Sequence, residues 1–251
     1  MPFRVKAFSL HIAISACALL LVLGTLFLGW YRWPGWYLTG LLRVLALVVV
    51  VDLALGPLLT LVIANPRKPR RELTRDIAII AVVQFAALVY GAFTLWHGRP
   101  VYYTFSADRL ELVRAADIEP TDAAEARRNN PEFAPYWYMR PRWVWAPLPD
   151  DADKANEIVS SAVFGGKDVI DMPRYFKPWD NGLSALRARL TTVGDIKQLS
   201  PAEKTLLTKR MSAQGLNPHD KNAILMWGDI RRILVVFDAD ATHIKAMLRS
   251  D

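Results

Sequence analysis

Few residues in this chain have the types and spacing that chemistry needs. A zinc hydrolase would show histidines one helical turn apart, a serine hydrolase a glycine-flanked nucleophile, and a nucleotide site a glycine-rich turn. No HExxH, GxSxG, Walker A or GxGxxG pattern occurs. The four histidines, His11, His97, His219 and His243, are scattered, and two of them fall at or in apolar runs, so no metal site is expected. Asp238-Ala239-Asp240 could offer two carboxylates to a cation, but acids that close a strand are more commonly solvated turn residues, and the turn is the reading taken here. Asp52 is the sharper case, because it lies in the middle of an apolar run. An ionised carboxylate there costs about 2.5–3.5 kcal/mol, so it must face other helices, be hydrogen-bonded or be protonated. It reads either as a proton-relay or ion site, or as a structural post whose hydrogen bond fixes helix pairing. A relay needs several ionisable groups in series, and the other charge within a span, Arg43, lies near its outer end. The post is favoured. No catalytic residue, cofactor or metal ligand is assigned, and the chain reads as a non-enzyme.

The elements that would position these residues are long and apolar. Phe8 to Trp30 and Ile77 to Trp96 carry no Asp, Glu, Lys or Arg, and Leu38 to Ala64 carries only Arg43 and Asp52. Each reaches the roughly 20 residues that cross about 30 Å of hydrocarbon. The expected fold class is therefore a membrane protein with three transmembrane α-helices followed by a compact α+β extracytoplasmic domain, divided as residues 1–97 and 98–251. The basic loop Pro66-Arg67-Lys68-Pro69-Arg70-Arg71, with Arg75, predicts that the second connection is cytoplasmic, and Arg4 and Lys6 put the N-terminus on the same side. Tyr31 to Tyr37, rich in aromatics, then rests at the outer headgroup level. Everything after Gly98 is expected outside, in the periplasm if the cell is Gram-negative.

Composition alone hides this. The 53 % hydrophobic content and mean hydropathy of +0.16 average a lipid-facing part with a charged remainder. Much of the net charge of +7 flanks the spans, and the outer half has no basic stripe interleaved with aromatics, so nucleic acid is not an expected partner. A cleaved signal peptide would need an apolar core of about 7–15 residues, and the first run is longer. Ile14-Ser15-Ala16-Cys17 resembles a lipobox, but the apolar run continues past the cysteine, so an uncleaved signal anchor is expected. Cys17 is the single cysteine, and the outer domain must fold without disulfides.

Within the spans, Pro57 lacks an N–H and predicts a kink near Leu53 to Gly56. Counting rise per residue puts Tyr90 level with Asp52 and Gln84 about two turns nearer the cytoplasm. Ser9, Ala13 and Cys17, and Ala87 with Gly91, form small-residue stripes that permit close helix approach. In the outer half, Val101 to Phe105 and Arg109 to Val113 read as strands joined by a turn. Thr121 to Arg128 reads as a helix capped by Thr121, and Asp151 to Phe164 as another closed by Gly165-Gly166. Ser200 to Gln214 is the clearest helix, with Ser200 as N-cap, Glu203 completing a capping box and Gly215 at the end. Arg231 to Phe237 is expected to be the central strand. The segment Pro131 to Trp145 is dense in aromatics and broken by prolines. Its Tyr136, Trp137, Tyr138, Trp143 and Trp145 read as a partner-binding surface, or as ordinary core or a collar on the membrane.

Val51-Asp52-Leu53-Ala54-Leu55-Gly56-Pro57-Leu58-Leu59-Thr60-Leu61, with Arg75 to Ile80, Gln84 to Gly91 and Arg99-Pro100-Val101, resembles the type IV pilin accessory proteins (the TfpX/TfpZ type). The resemblance covers about half the chain. It implies an inner-membrane accessory or chaperone that assists pilin stability and pilus assembly. Its implied partners are an unassembled type IV pilin in the inner membrane, further pilus-assembly proteins and the lipid bilayer. It also makes Asp52, Gly56, Pro57, Gln84 and Tyr90 the expected intramembrane structural signature. A pilin before assembly has an apolar helix in the membrane and a head in the periplasm, so an accessory with surfaces in both compartments fits. The alternatives are a membrane-anchored periplasmic sensor or ligand-binding protein, and a membrane enzyme or transporter centred on Asp52.

Overall fold

A computed structural model describes residues 3–63 and 67–251. Ala64, expected to end the second span, and Pro66, expected to open the basic loop, lie outside the described residues. The chain forms two compact units, Met1–Arg99 and Pro100–Asp251.

The first unit is helical. Helix α1 covers Phe3–Gly29, the short α2 covers Gly35–Leu38, and α3 covers Leu41–Val49. A π-helical segment, Val50–Leu55, joins α3 to α4 (Gly56–Ile63), and α5 covers Arg70–His97. Phe3–Gly29, Leu41–Ile63 and Arg70–His97 are long and apolar enough to cross a membrane. They wear their hydrophobic residues outside: Leu20, Val62 and Val82 are about 70 % exposed, which water would not tolerate over three helices but lipid requires. The second span starts at Leu41 rather than Leu38, because Gly40 adopts a left-handed conformation at φ +65° that ends α2 and turns the chain. The aromatic connection is not a loose collar. Tyr31 and Tyr37 are buried, and the Tyr31 hydroxyl donates to the Leu95 carbonyl at 2.7 Å. Arg99 lies 4.4 Å over the Trp96 ring, a cation–π contact close to the end of α5. The basic loop is shorter than its charges suggest, since Arg70, Arg71 and Arg75 already lie on α5 and Lys68 pairs with Asp76 at 2.8 Å.

The second unit is α+β. Its strands are β1 (Pro100–Ser106), β2 (Arg109–Arg114), β3 (Arg142–Trp145), β4 (Lys177–Pro178), β5 (Ala223–Trp227), β6 (Arg232–Phe237) and β7 (Ile244–Arg249). They form one mixed sheet in the order β4-β3-β1-β2-β5-β6-β7. The β1–β2 hairpin turns at Ala107, which takes a positive φ of 49°, while β1–β3 and β2–β5 pair in parallel. The run Arg231 to Phe237 forms β6, next to last in the sheet rather than central. Its apolar pattern reports burial and two flanking strands, and says nothing of rank in the strand order.

Helices α6 (Pro120–Asn129), α7 (Ala152–Val163), α8 (Leu183–Arg187) and α9 (Pro201–Ala213) complete the unit. Thr121 does not cap α6. Pro120 takes the first turn, Glu119 is the N-cap, and the Thr121 hydroxyl donates to the Glu119 carboxylate at 3.3 Å. Asp151 caps α7, and the Ser200–Glu203 capping box opens α9 as expected. One core joins β1, β2 and β3 to Ala123 of α6 and Ile158 of α7. A second joins β5, β6 and β7 to Leu207 and Met211 of α9.

Candidate functional site

The intramembrane cluster follows from one missing hydrogen. Through the π-helical turn the backbone bonds run five residues back, and the Gly56 N–H donates to the Val51 carbonyl. The next donor in that ladder would be Pro57 to Asp52, and proline has none. Gln84 of α5 fills the gap: its Nε2 donates to the Asp52 carbonyl at 3.1 Å. Gln84 approaches so closely that a Cβ on residue 56 would fall 1.9 Å from its Nε2, so Gly56 is a steric requirement. The irregularity that Pro57 predicts is thus a π-helical turn bridged by a neighbouring helix. A similar close approach at Gly91, where a Cβ would lie 2.9 Å from Val48, sets α5 against α3. Four of the five expected signature residues, Asp52, Gly56, Pro57 and Gln84, meet here.

Tyr90 does not join them. It is 73 % exposed on α5. The depth count misplaced it because α5 begins at Arg70, two turns before the charge-free run at Ile77. Gln84, not Tyr90, is therefore level with Asp52. The interhelical bond also uses the Asp52 backbone, not its carboxylate. Asp52 is 3 % exposed and Gln84 9 %, yet Asp52 Oδ2 and Gln84 Oε1 find no partner among the described residues. A second polar tie went unread in the sequence: His11 Nδ1 of α1 lies 2.6 Å from the hydroxyl of Thr60, itself buried. The available signal was a histidine inside an apolar run, which needs a partner in lipid. Asp52, Thr60 and Gln84, with His11 and Ser15, line a groove of about 420 Å³ between α1 and α5. Its apolar rim includes Leu10, Ile14 and Phe85, all more than 60 % exposed. Cys17, and with it the Ser9-Ala13-Cys17 stripe, is exposed and does not line this groove.

In the α+β unit the aromatic segment divides. Trp137 and Tyr138 are 66 % and 61 % exposed, and Tyr136 stacks on Tyr138 with centroids 5.6 Å apart. Trp143 instead sits on β3 between Tyr103 at 5.0 Å and Trp179 at 5.1 Å. Trp145 covers Gly182, where a Cβ would lie 2.6 Å from its ring, and Lys177 approaches its face at 5.7 Å.

Charged groups here are structural. Buried Asp122 is held by Lys167 and by Arg174, the latter at 3.1 Å, which joins α6 to the segment beyond α7. Burial, then the charges of Asp117 and Glu111, pushes the Asp171 carboxyl up to about 7. Asp238 accepts from the backbone N–H of Thr242 at 2.8 Å and of His243 at 3.1 Å, closing the turn after β6. Among the described residues no group of three or more His, Cys, Asp or Glu could hold a metal ion.

No family model matches the chain, and no solved structure does. The chain is 28 % identical over 185 residues to the fimbrial assembly protein of serogroup I of Dichelobacter nodosus, covering 74 % of this chain and 70 % of that protein. Identity to the serogroup E1 protein is 27 % with the same coverage. The protein of serogroups C1 and C2 is 30 % identical over 116 residues, which are 46 % of this chain and 88 % of that protein. The 185-residue match is longer than either unit alone, so it takes in parts of both. Three membrane-length helices, an α+β unit and a likeness that runs through both place the chain in the family of fimbrial assembly proteins.

Proposed function

We propose that this chain is a non-enzymatic accessory of the TfpX/TfpZ type that holds an unassembled type IV pilin in the inner membrane and assists its stability and its entry into the pilus. The observation that carries the reading is the likeness to fimbrial assembly proteins across both units. The basic clusters at Arg4 and Lys6 and at Arg67 to Arg75 support a cytoplasmic N-terminus and a periplasmic outer domain, residues 98–251. A pilin subunit would then meet this chain in the bilayer through its apolar helix and in the periplasm through its head. Trp137 and Tyr138 are the outer contact, steadied by Tyr136, while Trp143 and Trp145 pack within the unit.

An accessory that binds only the unassembled form stabilises that form. Deleting the gene should reduce surface pili and pilin abundance at unchanged pilin transcription, and crosslinked pull-down from membranes should recover pilin. Normal pili with normal pilin levels would sink the reading and move a membrane-anchored sensor ahead of it.

A further inference from the structure

The groove between α1 and α5 combines two features that rarely coincide. Its rim is apolar and exposed, while its floor contains Asp52 and Gln84, each more than nine-tenths buried and each with an oxygen that lacks a partner among the described residues. In hydrocarbon an acceptor without a donor is costly, and no water is there to supply one. The walls run from Ala7 to Ala18 on α1 and from Ile77 to Leu88 on α5. Each wall spans twelve residues, and the eleven rises of 1.5 Å between their ends make it about 16 Å long, which matches three turns of a helix laid alongside.

We propose that this groove is the seat for the transmembrane helix of an unassembled pilin subunit, one that brings a hydrogen-bond donor to the depth of Asp52. The proposal rests on the accessory reading above and names where in the membrane it operates. An acyl chain could fill the groove but would leave both oxygens unpaired. Asp52 also acquires a use beyond its backbone: among the described residues its Oδ2 has no hydrogen-bond partner, so that oxygen can receive the donor.

The test is site-specific photocrosslinking of the full-length chain in pilin-producing cells. With p-benzoylphenylalanine at Ile14 or at Phe85, on the rim, pilin should be captured at least five times more than with the probe at Leu47 or Val62, exposed positions that do not line the groove. Asp52→Leu should cut capture from the Phe85 position at least fivefold at unchanged protein level. Should that variant accumulate poorly, Ile14→Trp, which fills the groove from an exposed position, must give the same loss. Equal capture on and off the groove, capture only of lipid or of a second copy, or full capture in Asp52→Leu or Ile14→Trp would each overturn the proposal. A strain that loses pili on deletion yet shows no groove capture rejects this seat alone; normal piliation on deletion rejects the accessory reading with it.

Discussion

Gly56 and Gln84 behave as one unit, because the amide of Gln84 occupies the space that any side chain at residue 56 would need. Gly56→Ala should cost about 1–3 kcal/mol through overpacking, and Gln84→Ala about 0.6–2 kcal/mol through the lost interhelical bond. Gly56→Ala combined with Gln84→Ala should cost less than the sum, since the shortened side chain vacates the contested space. Thermal unfolding in detergent of the four proteins checks this, and strict additivity would refute the shared-space account. Asp171 gives a pH signature in the outer unit. Its folded pKa, about 7, stands above the ordinary value of 3.8, so between those pH values the folded chain keeps a proton that the unfolded chain has released. Stability should therefore fall as pH rises from about 4 to about 7. Glu203 runs the other way: bonds from Arg232 and the Ser200 cap hold it at about 2, so its contribution is present above pH 4.5 and lost on acidification toward 2. Asp171→Asn should flatten the upper window and raise the unfolding temperature at pH 8. A tryptophan-fluorescence melt across pH 4 to 8 with unchanged slope would contradict it.

Local signals fared best where an element closes on itself. The ends of helix α9 are set by neighbours in sequence: Ser200 accepts from the Glu203 N–H, Glu203 accepts from the Ser200 N–H, and Gly215 supplies the positive φ past the end. Ser200→Ala should cost about 1 kcal/mol in denaturant melts at pH 7, where Glu203 is ionised. Helix α6 shows the limit, since its start is set by Pro120 and by Asp122 reaching Lys167 and Arg174 from later in the chain. The aromatic segment divides in the same way. Trp137→Ala, at an exposed ring, should change stability by no more than about 0.5 kcal/mol while weakening pilin recovery. Trp143→Ala removes a ring wedged between Tyr103 and Trp179 and should cost about 2–4 kcal/mol, so lost binding there reports unfolding first. Equal stability of the two variants, measured by denaturant melts, would show that this division is wrong.

Across the whole molecule, the arrangement of charge around the spans sets the expected topology. An alkaline-phosphatase fusion after the last residue should be active, and one in the Arg67 to Arg71 region inactive. The reverse pattern would place the outer unit in the cytoplasm and remove it from a pilin head.

Hydropathy and turn residues determined the three spans, the α+β unit and the helices with their own caps, because each depends on burial length or on neighbours within a few residues. The polar cluster was half legible. Asp52 and Pro57 announce themselves as misfits in an apolar run, but that Gln84 donates to the Asp52 backbone, that His11 meets Thr60, and that Tyr90 faces outward depend on where α5 begins and how the helices rotate. The strand order, with β6 near the edge and β3 beside β1, was likewise left to tertiary structure. Pairing across long sequence separations is chosen by which faces can be buried together, and no single strand carries that choice in its own residues.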